Sequence, residues 1–358
     1  MSPRSRYAYE SSEPEKVAYA LAHAGYSAVR RLEILETFGF DIREAEAQAN
    51  QIRTPRSTSD VDAAVLFLRN RKELRDTLSV SGSAFGSTLS PDDQGEQQIG
   101  YDAAAMSAMA HVASLAGLPL FGEEDEHRDD GGPQRRGERL RYLMQNELGF
   151  AITDALDGSN QAAGMSQRSG WGSCAMVRTP GVPDLTAAVV LGDGRGYVSA
   201  LDGVWMSEAS HPDGMPAFYL IKPNLSGSGF DRPHFIIPAS KSKLVAHTRE
   251  MMKIDADVQW ISPLGGNPGI LAGMLGGRAV AAMQPAAYAW DHMAALILAG
   301  AGFTVLDERA DESYTATTIS TLLLEDMAAG RKTQTLYIGR TPQLARRIRA
   351  ADVGARAV

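Results

Sequence analysis

The chain has 358 residues with 44% apolar and 22% charged residues, which is typical of a globular protein with one large layered body or two domains. Its net charge of −8 argues against nonspecific nucleic-acid binding, because no basic surplus is available to displace counterions. Cys174 is the only cysteine, which excludes an internal disulfide and favours a reducing, cytoplasmic compartment.

The first part of the chain is predicted to be mainly helical. Apolar spacing indicates helices over 14–38, 60–74 and 102–115. Residues 1–57 are interpreted as a helical N-terminal extension that acts as a lid, an oligomer contact or a purely structural addition. The segment 79–100 is interpreted as a loop or loose hairpin that is long enough to suggest a function. The charged run 127–139 is predicted to be a solvated loop, followed by a short helix over 140–147.

The second part of the chain is predicted to contain strands first and then alternating strands and helices. Four antiparallel strands are predicted between residues 173 and 206, and strands then alternate with helices to the end of the chain. The apolar run 286–306 contains Asp291 and His292, so it is interpreted as a buried helix followed by a strand, with no membrane span. No apolar signal segment is seen near residue 1. We expect a metal-binding α+β half over 58–180 and a substrate-binding α/β half over 181–358.

The stretch Ile152–Asn160 is the centre of the functional argument. A short apolar strand is predicted to end in two carboxylates, Asp154 and Asp157, and Gly158-Ser159-Asn160 then favours a tight turn at a helix start. Carboxylate oxygens suit Mg²⁺ or Mn²⁺, and the exposed amides at a helix start suit phosphate. This pairing predicts phosphate-ester chemistry.

Three further acids lie at the end of an apolar strand or at the start of an apolar helix. Glu123 follows an apolar strand, whereas Asp102 and Asp291 begin apolar helices. Taken singly, the last two are explained by favourable charge at a helix N-terminus, worth about 0.3–1 kcal/mol, and Glu123 by solvation. Taken together, carboxylates that converge without a cation would repel one another, so a shared divalent ion is the better explanation.

Three blocks of the sequence resemble one protein family. The blocks are Gly122-Glu123-Glu124, Asp154-Ala-Leu-Asp-Gly-Ser159 and Trp290-Asp291-His-Met-Ala-Ala295. Their order and separation are similar to those of the inositol monophosphatase and fructose-1,6-bisphosphatase superfamily of metal-dependent, lithium-sensitive phosphatases.

The resemblance implies a layered α-β-α-β-α sandwich and hydrolysis of a sugar, inositol or nucleotide monophosphate. It implies two or three Mg²⁺ ions, with Mn²⁺ as an alternative and Li⁺ as an inhibitor. The partner would be a small phosphorylated metabolite, with no nucleic acid and no membrane, and a homodimer is left open. The residues carried over by the resemblance are, for the metal, Glu123, Asp154, the Leu156 carbonyl, Asp157 and Asp291; for phosphate, the amides of Gly158 and Ser159; for catalysis, Glu123, Ser159 and Asp102; and for substrate contact, Gly265, Gly266, Asn267 and Gln284.

The sequence also departs from the family pattern. Ala155 stands where the family has proline, Ser159 where it has threonine, and Phe303 where it has a second glycine. Met283 or Gln284 falls where inositol phosphatases carry a hydroxyl-binding glutamate. These departures favour a second hypothesis, in which the chain keeps the fold as a ligand-binding or regulatory module with weak or no turnover.

Overall fold

The fold is described from a computed structural model of the chain. The residues it describes are 13–38, 88–91, 97–122, 132–158, 170–200, 203–208, 217–223, 225, 233–237, 242–261, 266–310 and 312–357. Within these ranges, none of the helices is long and apolar enough to cross a bilayer.

A seven-stranded sheet forms the larger half of the structure. In sheet order its strands are β3 (Leu120–Gly122), β4 (Phe150–Asp157), β5 (Gly172–Arg178), β6 (Thr186–Leu191), β7 (Gly196–Ala200), β8 (Gly203–Glu208) and β9 (Ala217–Ile221). Only β3 and β4 run parallel; every other pair is antiparallel. Strand β6 is covered on both sides, since alternate residues belong to two different cores: Val189 to one, and Ala188 and Val190 to the other.

Two helices cover the outer face of this sheet. Helices α1 (Glu13–Phe38) and α2 (Gly100–Leu115) pack against each other and against β4–β6. Small residues let α1 approach closely. A Cβ atom on Gly25 would lie 2.0 Å from the Ser173 hydroxyl oxygen, so only glycine fits there. A short antiparallel ladder of β1 (Thr88–Pro91) and β2 (Gln97–Ile99) precedes α2.

The middle layer lies between the two sheets. Its helices are α3 (Gly132–Gln145), α5 (Asn267–Leu275), α6 (Met293–Gly300) and α7 (Ala316–Ala328), with a 3-10 turn at Ala289–His292 leading into α6. Helix α6 is buried on nearly all sides. It contacts β6 and β7 of the large sheet and two strands of the small sheet, β13 (Thr304–Leu306) and β14 (Leu336–Gly339). Its almost wholly apolar sequence is therefore what a layer between two sheets requires.

The small sheet and two more helices complete the sandwich. In sheet order the strands are β11 (Gln259–Ile261), β10 (His234–Ile236), β12 (Ala281–Gln284), β14 (Leu336–Gly339) and β13 (Thr304–Leu306), and the helices on its outer face are α4 (Ser242–Ile254) and α8 (Pro342–Arg356). Alternate residues again divide between two cores, with Ala282 facing the middle layer and Ala281 and Met283 facing α8. The order of layers is therefore α-β-α-β-α, and the predicted architecture is confirmed.

Two local predictions were wrong. The predicted solvated loop over 127–139 gives way at Gly132 to α3, because Leu140 and Leu143 bury an apolar stripe beneath a charged sequence. Helix α7 was not predicted, since its threonine-rich start has low helix propensity. The predicted helix over 60–74 lies outside the described residues. The division into 1–57, 58–180 and 181–358 stays a prediction; the large sheet contains strands from both sides of residue 180.

Candidate active site

A β-bulge shapes the end of strand β4. Asp154 pairs with Cys174 on β5 and Asp157 pairs with Gly172, so the three-residue step on β4 matches a two-residue step on β5. In a regular strand, residues three apart point to opposite faces. The extra residue in a bulge changes that parity. It brings both carboxylates to the same face of the sheet.

The burial of the bulged residues agrees with this parity. Ala155 and Leu156 both pack into the core beneath α1 and α2, and the Ser173 hydroxyl donates a 2.5 Å hydrogen bond to the Ala155 carbonyl. Asp154 and Asp157 therefore face the middle layer, where they are 3% and 8% exposed. Two acids of one strand are buried on one side of the sheet.

Asp157 is held by the start of helix α5. The Gly266 amide donates to Asp157 Oδ1 at 2.9 Å, and the Asn267 amide and side-chain Nδ2 donate to Oδ2 at 2.6 and 3.0 Å. The fit is tight, since a Cβ atom on Gly266 would lie 2.9 and 3.0 Å from the two carboxylate oxygens. Asp157 thus joins the large sheet to the helix that leads into the small sheet.

Asn267 continues this network to the Trp290-Asp291 turn. Its Nδ2 also donates to the Trp290 carbonyl at 2.9 Å, and its Oδ1 accepts from the Ala294 amide at 2.7 Å and from Gln284 Nε2 at 3.2 Å. Gln284 Nε2 in turn donates to the Asp291 carbonyl at 2.8 Å. Asn267 is fully buried and Gln284 is 2% exposed. Both predicted substrate contacts thus bind other protein groups in the interior.

The Trp290 ring lies in an aromatic and cationic stack. It stacks on Tyr288 with ring centroids 4.9 Å apart, the Arg136 guanidinium lies 4.8 Å from its centroid, and Lys332 lies 5.4 Å from that of Tyr288. Arg136 also donates a 3.2 Å hydrogen bond to the Gly122 carbonyl. Arg136 therefore connects the end of β3, which precedes Glu123, to the residue before Asp291.

Three of the predicted acids influence the pKa of one buried side chain, Cys174. Burial raises the pKa of the Cys174 thiol well above its usual range, and the negative charges of Asp157, Asp154 and Asp291 raise it further. The turn that carries Asp291 also packs against β4 and β5. The structure thus brings the acids of the second and third sequence blocks together around one buried side chain.

Of the remaining predicted site residues, the structure describes some and leaves others outside its described ranges. Asp102 is 4% exposed at the start of α2, and Gly158 follows β4 with a φ of +88°, which favours glycine. Glu123, Ser159 and Gly265 lie outside the described residues. Where residues are described, no group of three or more His, Cys, Asp or Glu side chains is arranged as metal ligands. Glu123 is not among those residues.

The donor set nevertheless fits a hard cation. Asp154 and Asp157 supply carboxylate oxygens on one face, and the Leu156 side chain packs into the opposite core, so only its backbone lies at this edge of the sheet. Oxygen-only ligands in this pattern suit Mg²⁺ or Mn²⁺.

Three site features were not predicted. The bulge was missed, although two acids three apart at the end of an apolar strand indicate that parity must change. Arg136 was placed in a solvated loop, and Asn267 was assigned to substrate. For Arg136 the helix-compatible spacing of Leu140 and Leu143 was the available signal. For Asn267 there was none, because its partners come from distant parts of the chain.

Comparison with known proteins supports the fold. No family model matches the sequence, and no curated protein matches it. Among solved structures, the extragenic suppressor protein suhB from Bartonella henselae is 11% identical with a TM-score of 0.51, covering 80% of this chain and 98% of its own. The chain has the inositol monophosphatase fold.

Two further structures with this fold have lower TM-scores. Inositol monophosphatase-II from Staphylococcus aureus is 15% identical, with a TM-score of 0.45 over 70% of this chain and 80% of its own. An IMPase/NADP phosphatase complexed with Mg²⁺ and phosphate is 10% identical, with a TM-score of 0.48 over 73% of this chain and 85% of its own. The roles of the individual residues stay predictions.

Proposed function

We propose that this protein hydrolyses a small phosphate monoester with the help of bound Mg²⁺. The observation that carries the proposal is the bulge in β4, which directs Asp154 and Asp157 to one face of the sheet near Asp291. Two buried acids with a third, partly buried acid nearby are costly without a counter-charge. A divalent cation supplies that charge, and the inositol monophosphatase fold adds support.

In this proposal Glu123, Asp154, Asp157 and the Leu156 carbonyl would hold one or two Mg²⁺ ions, and Asp291 would complete the second site. When bound, Mg²⁺ lowers the pKa of water and offsets charge on the phosphate oxygens. Asp102 would pair with the Ser159 hydroxyl and, with Glu123, help to deprotonate the attacking water. These are assignments by resemblance, supported for Asp102 by its burial at a helix start.

Phosphate binding is assigned to the turn after β4. Gly158 has a positive φ, which lets the chain reverse immediately after Asp157. The amides of Gly158 and Ser159 then supply the donors that a phosphate oxygen requires.

The substrate is proposed to be a sugar, inositol or nucleotide monophosphate. Met283 or Gln284 falls where inositol phosphatases carry a glutamate, and the Gln284 amide is bound to Asn267 and to the Asp291 carbonyl. Neither residue offers a carboxylate for a sugar hydroxyl, which argues against strong selection for inositol. A small metabolite in the cytoplasm remains the proposed partner, with Mn²⁺ as an alternative metal and Li⁺ as an inhibitor.

The decisive test compares two Asp→Asn variants. Asp154→Asn should reduce Mg²⁺-dependent hydrolysis of p-nitrophenyl phosphate by at least about 100-fold, since even residues behind a metal's ligands cost 10–100-fold. Asp193→Asn makes the same chemical change at a half-exposed turn where Asp193 pairs with Arg195, and should leave the rate unchanged. Equal rates in the Asp154 variant and the wild type would refute the proposal.

A second function is favoured by one observation. The Asp157 carboxylate accepts three hydrogen bonds from Gly266 and Asn267, which stabilise its charge without a metal. On that basis the protein would bind a phosphorylated ligand without turning it over. Calorimetry with a panel of phosphate esters would then give binding heats with no phosphate released in a malachite-green assay.

A further inference from the structure

The side-chain amide of Asn267 uses its full hydrogen-bonding capacity inside the protein. Its Nδ2 donates to Asp157 Oδ2 and to the Trp290 carbonyl, and its Oδ1 accepts from the Ala294 amide and Gln284 Nε2. A primary amide offers two donors and two acceptor positions. No capacity remains for a substrate.

The surroundings also fix the orientation of this amide. Asp157 Oδ2 and the Trp290 carbonyl only accept, whereas the Ala294 amide only donates, so exchanging Nδ2 and Oδ1 would break three hydrogen bonds at once. Among side chains of this size, only an amide both donates twice and accepts twice. An aspartate at this position would place a second carboxylate against Asp157.

The partners of Asn267 belong to two blocks that are far apart in sequence. Asp157 lies at the end of β4 in the large sheet, and Trp290 lies in the turn before α6. The backbone amide of Asn267 adds another bond to Asp157 Oδ2, so one residue sets both the rotation of the Asp157 carboxylate and the position of the backbone that carries Asp291.

We propose that Asn267 is a positioning residue that orients Asp157 and the Trp290-Asp291 turn for the divalent cation, and that it is not a substrate contact. This inference rests on the proposed function for its catalytic consequence, but its effect on cation binding stands separately. Groups that orient a metal's ligands typically contribute 10–100-fold to affinity or activity.

The test uses Mn²⁺ as the probe. Binding to the full-length protein is followed by electron paramagnetic resonance, and hydrolysis of p-nitrophenyl phosphate is measured in parallel. Asn267→Ala should weaken the Mn²⁺ Kd by 10-fold or more and reduce kcat by a similar factor, with KM changed less than threefold. Asn267→Asp should weaken Mn²⁺ binding at least as much, because it removes both donors.

Ser199→Ala is the matched control. Ser199 is a buried residue on β7 whose hydroxyl accepts from the Ala187 amide at 2.8 Å, so its loss destabilises the fold without contacting Asp157. Its Mn²⁺ Kd should stay within twofold of wild type. If Asn267→Ala does not fold, Gln284→Met serves instead: it removes one bond to Asn267 and one to the Asp291 carbonyl, and should weaken Mn²⁺ binding by a few-fold.

The outcomes are separable. An unchanged Mn²⁺ Kd in Asn267→Ala, or a raised KM with unchanged kcat, would overturn the positioning role and restore the substrate role. A wild type that binds Mn²⁺ but hydrolyses no ester would instead reject the proposed phosphatase activity, and the Mn²⁺ titration of Asn267→Ala would still decide the role of Asn267.

Discussion

The two sides of the candidate site are held in place by different means. On one side, Asp154 and Asp157 are directed by the register and bulge of β4, which depend on main-chain pairing with β5. On the other side, the Trp290-Asp291 turn is held by side-chain amides, chiefly Asn267 and Gln284. Loss of one supporting side chain should therefore change the geometry of the strand side little. On the turn side the same kind of loss should disturb the position of Asp291.

The largest expected effect is that low pH destabilises the protein through the turn side. His292 lies in the turn, is fully buried, and burial lowers its pKa to about 4 from the ordinary 6.5. Below pH 6.5 the unfolded chain binds a proton at this histidine that the folded chain does not, so His292 alone should lower the free energy of unfolding by about 3 kcal/mol between pH 6.5 and 4. Urea unfolding at several pH values measures this slope.

Two histidine variants show which region causes the change of unfolding free energy with pH. His292→Gln should reduce that change. The pH dependence is compared, and not the stability at one pH, because the substitution also alters packing. His23 on α1 also has its pKa lowered to about 4 by burial, yet it is partly exposed, so His23→Gln should flatten the slope less. An equal slope in His292→Gln and wild type would remove the turn from the acid response.

The contact between the two sides is tested by Gly266→Ala. Its φ is −77°, which is outside the left-handed region that favours glycine, but the new Cβ would press on the Asp157 carboxylate at 2.9–3.0 Å. We expect a loss of about 2 kcal/mol in unfolding free energy from overpacking, together with weakened hydrolysis of p-nitrophenyl phosphate.

Gly300→Ala is the control for this substitution. A Cβ there would meet Val204 at an ordinary 3.7 Å, so stability and activity should be unchanged or slightly higher. Equal stability of the two alanine variants would mean that the Gly266 contact with Asp157 is looser than described.

The smallest effect is expected on the strand side. Ser173→Ala removes the hydrogen bond to the Ala155 carbonyl at the bulge, which should lower the unfolding free energy by about 1 kcal/mol. Because the pairing of β4 with β5 remains, activity should stay within about threefold of wild type. A loss of activity as large as that expected for Gly266→Ala would show that the bulge also depends on a side chain.

The fold was largely predictable from residue patterns. The alternation of apolar residues predicted the strands of both sheets, and the family resemblance supplied the order of layers. The end of helix α3 was predicted within the helix over 140–147, but its start was assigned to a loop because that stretch is charged and glycine-rich. Helix α7 was missed because its first residues are threonines, and its helical state depends on packing against the middle layer.

The candidate site was predictable as a set of acids but not as a geometry. Asp154, Asp157 and Asp291 could be named from their blocks, whereas the bulge that aligns the first two depends on pairing with Cys174 and Gly172. The role of Asn267 depends on partners that only the tertiary fold brings close. Sequence patterns report local periodicity, and these contacts are not local.

The packing of α1 has a consequence for biosynthesis. Leu21 and Val29 on this helix are fully buried, and the strands it packs against begin with β4 at Phe150, long after α1 ends at Phe38. Contacts so distant in sequence form late. A nascent chain that stops before β4 would therefore expose the apolar face of α1 that later packs on the sheet. Chaperones bind exposed apolar surface of this kind.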